Sequence, residues 1–196
     1  MTALDQNAIR LLFSDARSQN GWKPDPVSDE MLQAAHDIAK WGPTSLNSQP
    51  LRIAFLRSQA AKERLRPALS PGNVDKAMSA PVVAIMAYDL TFPEHLPRMF
   101  PHNPAVQNMF TGKDAFIEAT AFRNATLQGA YFLLGARAVG LDVGPMSGFD
   151  NAKVDAEFFA GTSIKSNFLC GIGKGDPSKV FGRSPRFDLT EISTKL

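Results

Sequence analysis

Residues Asp114–Asp150 read DAFIEATAFRNATLQGAYFLLGARAVGLDVGPMSGFD. Phe116, Ala119, Thr120, Phe122, Ala125, Leu127, Ala130, Tyr131, Leu133, Leu134, Ala136 and Val139 recur at helical spacing and wrap nearly all the way round. A helix that is apolar on every side belongs in an interior. The stretch therefore predicts a long, mostly buried helix over 114–139. Gly140 supplies the left-handed stop that ends helices. Leu141–Met146 then reads as a strand running into the turn Pro145-Met146-Ser147-Gly148. Asp150 caps a short helix that extends through Phe159.

Outward from this stretch the periods alternate without a strict strand-helix-strand order. Leu4, Ala8, Ile9, Leu12, Phe13 and Ala16 predict an amphipathic helix to about Arg17. Ser28 is an N-cap, with Asp29 and Glu30 in the first turn of a helix that ends before Gly42-Pro43. Leu51–Leu56 has a strand pattern. Ala60–Leu69 reads as a short charged helix stopped near Pro67. Pro81–Ala87 is apolar on both faces, as a central strand must be. Thr91–Gly112, rich in Pro, Phe, His and Asn, reads as an irregular excursion or lid. Ile164–Ile172 is another apolar strand, and an extended tail begins at Gly173. This mixture favours an α+β class, in one domain over residues 1–196.

Composition narrows the function classes. The chain has 196 residues, 44% hydrophobic and 20% charged, with a mean hydropathy of -0.14. Those are ordinary globular values. No apolar run is long enough for a bilayer. Met1–Asn7 lacks a basic segment followed by an apolar one, so the reading expects no secretory leader and a cytoplasmic protein. Lys and Arg number 21 and Asp and Glu 19. The small surplus sits in the tail from Lys174 onward. That is no footprint for nucleic acid, but it suits one small anion.

Several chemistries fail on spacing. Gly144-Pro145-Met146-Ser147-Gly148 is not a nucleophile elbow, because the serine stands one place late. Cys170 lies in the apolar Phe168-Leu169-Cys170-Gly171-Ile172 and reads as a small buried hydrophobe. His36, His95 and His102 make no metal-ligand spacing, and no metal is expected. Gly171-Ile172-Gly173-Lys174-Gly175 has neither the Rossmann context nor the Walker spacing. Three polar segments remain. Arg17, Ser18 and Asn20 offer a charge and two short polar groups at a helix end, the chemistry of phosphate binding. Thr44, Ser45, Asn47, Ser48 and Gln49 set donors and acceptors between Pro43 and Pro50, and an amide reads both edges of a flat heterocycle. The turn at Gly144–Gly148 lets backbone approach something closely.

Together these segments resemble the FMN-dependent nitroreductase superfamily, in order and over nearly the whole chain. The carriers are Arg17-Ser18-Gln19-Asn20 with Trp22, the loop Pro43-Thr44-Ser45-Leu46-Asn47-Ser48-Gln49-Pro50, the long helix, Gly140-Leu141-Asp142, Pro145-Met146-Ser147-Gly148-Phe149-Asp150 and Arg183-Ser184-Pro185. Within the superfamily the chain is most similar to the malonic semialdehyde reductases of pyrimidine degradation. The cues are Asp15-Ala16-Arg17, Asn20-Gly21-Trp22, Trp41-Gly42-Pro43, Arg64–Ser70 and Lys165-Ser166-Asn167. Two positions depart from the common pattern: Asn20 replaces a second basic residue, and Ser147 replaces a glutamate.

The resemblance implies a nitroreductase-like fold: a mixed, mostly antiparallel sheet flanked by helices, a long central helix and an extended C-terminal arm. It implies a homodimer with FMN at the subunit interface and NAD(P)H as co-substrate. The implied reaction is ping-pong hydride transfer, with malonic semialdehyde reduced to 3-hydroxypropanoate. In this reading Arg17 and Arg183 clamp the FMN phosphate, with Ser18 and Asn20 adding hydrogen bonds. Ser45, Asn47 and Gln49 contact the cofactor, Asn47 at its pyrimidine edge. Pro145, Met146, Ser147 and Gly148 line the ring, and Ser147 is the candidate proton relay. Arg52 and Lys165 are candidates for the cation beside the reduced ring. Two alternatives stay open: a broad nitroaromatic or quinone reductase, and a flavin-binding module without turnover.

Overall fold

The computed structural model describes residues 2–196. Four strands, β1 (Leu51–Leu56), β2 (Val82–Asp89), β3 (Asp142–Met146) and β4 (Ile164–Gly173), form one sheet in the order β1-β2-β4-β3. Every strand pair is antiparallel, with Leu51 opposite Tyr88, Ala84 opposite Cys170 and Val143 opposite Ile172. β2 is buried at all eight positions. This is why its sequence is apolar without alternation.

The side-chain alternation of the strands separates two cores. Val82, Ala84, Met86, Cys170 and Ile172 face α2 (Asp29–Ala39) and α6 (Asp114–Ala138), meeting Ala35, Phe132 and Ala136. Val83, Ile85, Ala87 and Leu169 face α3 (Gln59–Leu65), α4 (Val74–Met78) and α7 (Asn151–Phe158), meeting Leu65, Ala77 and Val154. A third cluster joins Phe92, Leu96 and Phe110 to Ala121 and Ala125 of α6. Ser28 caps α2 by accepting from the Met31 amide, and Asp150 caps α7 by accepting from the Lys153 amide. Gly140 stands at φ +79, the left-handed geometry that stops α6.

The nitroreductase-like α+β class stands, and several local expectations are corrected. The first helix is shorter, α1 (Gln6–Ile9) plus a wider π turn over Arg10–Ser14. Leu11 and Phe13 of this region are exposed, so no packing extends it to Arg17. Thr91–Gly112 is ordered: α5 (Phe92–Met99) precedes a 3-10 stretch over Pro104–Phe110. Pro93 and Pro97 hide α5 from a periodicity reading, but Phe92 and Leu96 bury one face of it. α6 is not buried all round. Phe116, Phe122 and Leu127 are 42%, 49% and 43% exposed along its outer side. The tail is extended, broken by a turn at Pro177–Lys179 and by α8 (Leu189–Ile192), which Asp188 and Glu191 close with a capping box.

Candidate active site

The edge of β3 organises the first part of the site. Ser18 bridges Val143 in parallel, and the Gln19 amide donates to the Val143 carbonyl at 3.1 Å. Residues 17–20 are thereby laid along the outer strand. The tail returns over them. Arg17 donates to the Phe181 carbonyl, Arg183 to the Ser14 carbonyl at 2.6 Å, and the Asn20 amide to the Lys179 carbonyl at 3.4 Å. Between the two segments opens a cavity of about 670 Å³. Arg17, Arg137, Arg183 and Arg186 all line it, with Ser18 and Asn20, and no carboxylate does. Four guanidinium groups that make no ion pair among the described residues are a donor set for a doubly charged oxyanion such as a phosphate.

Arg137 and Arg186 were not singled out from the sequence. Arg137 is the last-turn cation of a long helix and donates to the Leu12 carbonyl at 2.9 Å. Burial holds its pKa below the ordinary arginine value. Its signal lay in the chain order, since α6 ends just before β3.

Two residues beyond Val143 along the same strand begins the turn Pro145–Gly148. The Gly148 carbonyl accepts from the Ser70 amide at 3.0 Å and the Asn73 side-chain amide at 2.9 Å. A Cβ at Gly148 would stand 2.6 Å from that Asn73 nitrogen, so a larger residue would push the Asn73 amide away from this carbonyl. Met146 is buried, whereas Pro145 is exposed. The Ser147 carbonyl accepts from the Phe149 amide at 3.1 Å, which tightens the turn.

A cation sits directly under this turn, and it is Lys76. Its ammonium donates to the Pro145 carbonyl at 3.1 Å, and the residue is 8% exposed. Burial pushes its pKa below the ordinary lysine value. The Trp22 indole N–H donates to the Lys76 carbonyl at 3.0 Å and fixes this part of α4. The two cations weighed from the sequence are placed differently. Arg52 pairs with Asp89 at 2.6 Å, and Lys165 with Asp155 at 3.8 Å. Neither meets the turn. Charge and spacing alone could not separate these three cations, because burial and partner choice decide among them.

The Pro43–Pro50 loop lies elsewhere. It precedes β1, on the sheet edge opposite β3. Three strand spacings, about 14 Å, separate the edges. Leu46, Asn47 and Gln49 all have left-handed φ values, 55, 48 and 42. Such backbone costs about 1–3 kcal/mol per non-glycine residue and persists only where surroundings enforce it. Here they do. The Ser45 amide donates to the Asn124 side chain at 2.8 Å, the Asn47 amide group to the Met99 carbonyl at 2.7 Å, and the Gln49 amide group to Asn47 Oδ1 at 2.8 Å. Gln49 and Ser48 line a second cavity of about 430 Å³. Thus Arg17, Ser18, Asn20 and Arg183 gather around one cavity, with Pro145, Met146, Ser147 and Gly148 further along the same strand edge. Ser45, Asn47 and Gln49 form a separate group within the chain.

Other chemistries are absent from the geometry. Cys170 is fully buried, and its thiol is pushed up to about 12 by that burial. Among the described residues no cluster of His, Cys, Asp and Glu could hold a metal ion, and no helix is long and apolar enough to cross a membrane.

Known proteins share this fold. A sequence model described as the Nitroreductase family matches residues 15–174. A Ralstonia pickettii protein, HadB, named for NADH dehydrogenase/NAD(P)H nitroreductase activity, is 58% identical over 189 residues, covering 95% of this chain and 96% of its own. A Burkholderia lata protein with the same type of name is 56% identical over 193 residues, 98% of either chain. Among solved structures, an Exiguobacterium sibiricum nitroreductase-type protein in complex with FMN superposes with a TM-score of 0.87 at 20% identity, covering 100% of this chain and 99% of that one.

Proposed function

The chain belongs to the nitroreductase family, and on that premise we propose that it is an FMN-dependent NAD(P)H oxidoreductase whose acceptor is malonic semialdehyde. The observation that carries the cofactor is the four-guanidinium cavity on the β3 edge, reached along one strand from a glycine turn with a buried ammonium beneath it. Arg17, Arg137, Arg183 and Arg186 hold the FMN phosphate, and Ser18 and Asn20 add hydrogen bonds. Pro145, Met146, Ser147 and Gly148 line the ring. Lys76 keeps positive charge beside the turn, where a reduced flavin carries negative charge.

When bound, FMN supplies the hydride chemistry that no side chain here can supply. The overall reaction is balanced: aldehyde, NAD(P)H and one proton give 3-hydroxypropanoate and NAD(P)+. The proton is delivered to the carbonyl oxygen by the Ser147 hydroxyl or through water held at that turn. The motifs quoted for the malonic semialdehyde subgroup favour this acceptor.

The protein acts as a homodimer in this reading. Phe116, Phe122 and Leu127 leave apolar side chains exposed across the outer side of α6, and the tail exposes Phe181, Phe187, Leu189 and Ile192. Burying these side chains against a second copy would remove apolar surface from water. The dimer also accounts for the loop that stands on the far sheet edge in its own chain: Ser45, Asn47 and Gln49 serve the site of the second copy.

A second acceptor class, nitroaromatics or quinones, is favoured by the names of the 58% and 56% identical relatives. One experiment orders these readings. The purified holoprotein is mixed anaerobically with NADPH or NADH, and its flavin absorbance is followed. Bleaching, followed by re-oxidation that is faster with 3-oxopropanoate than with a nitroarene or quinone, is the expected result. Faster re-oxidation by the nitroarene or quinone assigns the second class. A yellow spectrum that persists with both nicotinamides leaves only a flavin-binding module.

A further inference from the structure

The second cavity has its own chemistry. It lies between β1, α2, α5 and α6, and its walls carry His36, Arg52, His95 and Arg98 with no carboxylate. Two of these groups are already engaged. Asp89 takes Arg52 at 2.6 Å and has His95 at 4.0 Å. Arg98, on the exposed side of α5, makes no ion pair among the described residues. It is the unbalanced charge of the cavity.

Two neutral groups complete it. Gln128 Oε1 accepts from the Leu51 amide at 2.9 Å, which leaves its side-chain nitrogen as the remaining donor. Ser48 is 2% exposed, and its hydroxyl has no hydrogen-bond partner. A buried, unpaired hydroxyl is costly, and native proteins keep few of them. Ser48 follows Leu46 and Asn47 and precedes Gln49, so the orphan sits within the most strained backbone of the chain. The Asn47 bond to the Met99 carbonyl ties this loop to the helix that bears Arg98. Leu51, Ile53 and Met99 supply an apolar lining. One guanidinium, one amide, one hydroxyl and a short apolar wall match a small carboxylate with a few methylenes.

We propose that this cavity is the carboxylate subsite for the acceptor, with Arg98 as its anchor and Ser48 and Gln128 as supporting hydrogen-bond groups. The ligand class is a short oxo acid, held by its carboxylate. The inference rests on the reading above that Ser45, Asn47 and Gln49 face the flavin of the second copy, because Gln49 also lines this cavity. It adds what that reading lacks, a physical basis for preferring a charged aldehyde over a neutral acceptor of equal size.

The test uses the holoprotein and a matched pair, 3-oxopropanoate and its methyl ester. Wild type prefers the anion in kcat/KM, and Arg98→Gln lowers that preference at least tenfold. Arg98→Lys restores part of it, and Ser48→Ala lowers it less than Arg98→Gln does. Calorimetric titration with malonate gives a readout independent of turnover, with affinity at least tenfold weaker in Arg98→Gln. Flavin content at wild-type level confirms that each variant is folded. An unchanged anion-to-ester ratio, or unchanged malonate affinity in flavin-loaded Arg98→Gln, overturns the subsite. Malonate binding that depends on Arg98 in a protein that reduces no aldehyde keeps the anion site and overturns the malonic semialdehyde reading instead.

Discussion

The Lys76 ammonium donates to the carbonyl oxygen of Pro145 at 3.1 Å, from a residue that is 8% exposed. The relationship fixes the turn that lines the proposed flavin site, and it carries an electrostatic cost. Burial disfavours the charged ammonium, so its pKa in the folded chain lies below the ordinary lysine value of 10.5. The unfolded chain then binds more protons between the lowered pKa and 10.5, and stability rises with pH through that window. Below the window the penalty is present in full. Thermal unfolding of wild type and Lys76→Met is therefore expected to diverge, with wild type gaining Tm relative to the variant as pH approaches 10.5. Parallel pH curves would show that the ammonium is as well solvated folded as unfolded.

Arg183 joins the tail to the first segment through the Ser14 carbonyl at 2.6 Å, and it lines the cavity assigned to phosphate. A charge-assisted hydrogen bond is worth about 1.5–3 kcal/mol. Arg183→Ala is expected to raise the FMN Kd at least tenfold in a fluorescence titration of apoprotein, with Arg183→Lys intermediate. Retention equal to wild type would remove Arg183 from the cofactor site.

Cys170 lies in the central part of the sheet, opposite Ala84, with its thiol pushed up to about 12. Thiolate is the reactive form. Ellman's reagent is therefore expected to leave the native protein unmodified over hours and to label one thiol per chain in guanidinium chloride. Rapid native labelling would place the sulfur within reach of solvent.

Gly135 packs against α2 so closely that a Cβ there would stand 2.3 Å from the Ala35 carbonyl oxygen. Alanine is the better helix former by about 1 kcal/mol. Backbone cannot yield as a side-chain tip does, and overpacking costs about 1–3 kcal/mol. The clash wins, so Gly135→Ala is expected to lower Tm by a few degrees in calorimetry. A rise in Tm would mean that the α2–α6 contact has slack.

The parts of this molecule that were legible in the sequence are those set by short-range physics. Ser28 and Asp150 cap helices because a side-chain oxygen meets a nearby amide, and Gly140 ends α6 because only a left-handed residue fits there. β2 was legible because burial on both faces leaves no polar position. What escaped depends on contacts distant in sequence. α5 contains two prolines and persists because Phe92 and Leu96 are buried by Phe110 and α6. Lys76 outranks Arg52 and Lys165 because it is buried under the Pro145 carbonyl, whereas Asp89 and Asp155 engage the other two. The separation of Asn47 from Arg17 follows from strand order, and no local pattern encodes strand order.

That separation makes the assembly testable through Phe122. This ring is 49% exposed on α6 and packs edge-on against Tyr88 with centroids 5.7 Å apart. Like Phe116 and Leu127 it is an exposed apolar residue on the side of α6 assigned to the second copy. A glutamate placed there would face hydrocarbon in a dimer, where an unpaired charge is strongly disfavoured, but water in a monomer, where it costs little. Phe122→Glu is therefore expected to sediment as a monomer, against a dimer for wild type. If the loop bearing Ser45, Asn47 and Gln49 completes the flavin site of the other copy, the same variant also loses FMN, although none of its own cofactor-cavity residues has changed. A flavin-loaded monomer would require all contacts to come from one chain, which the opposite sheet edges of Asn47 and Arg17 oppose. A flavin-free dimer would instead locate the defect in the packing of Tyr88, which the edge-on contact with Phe122 supports.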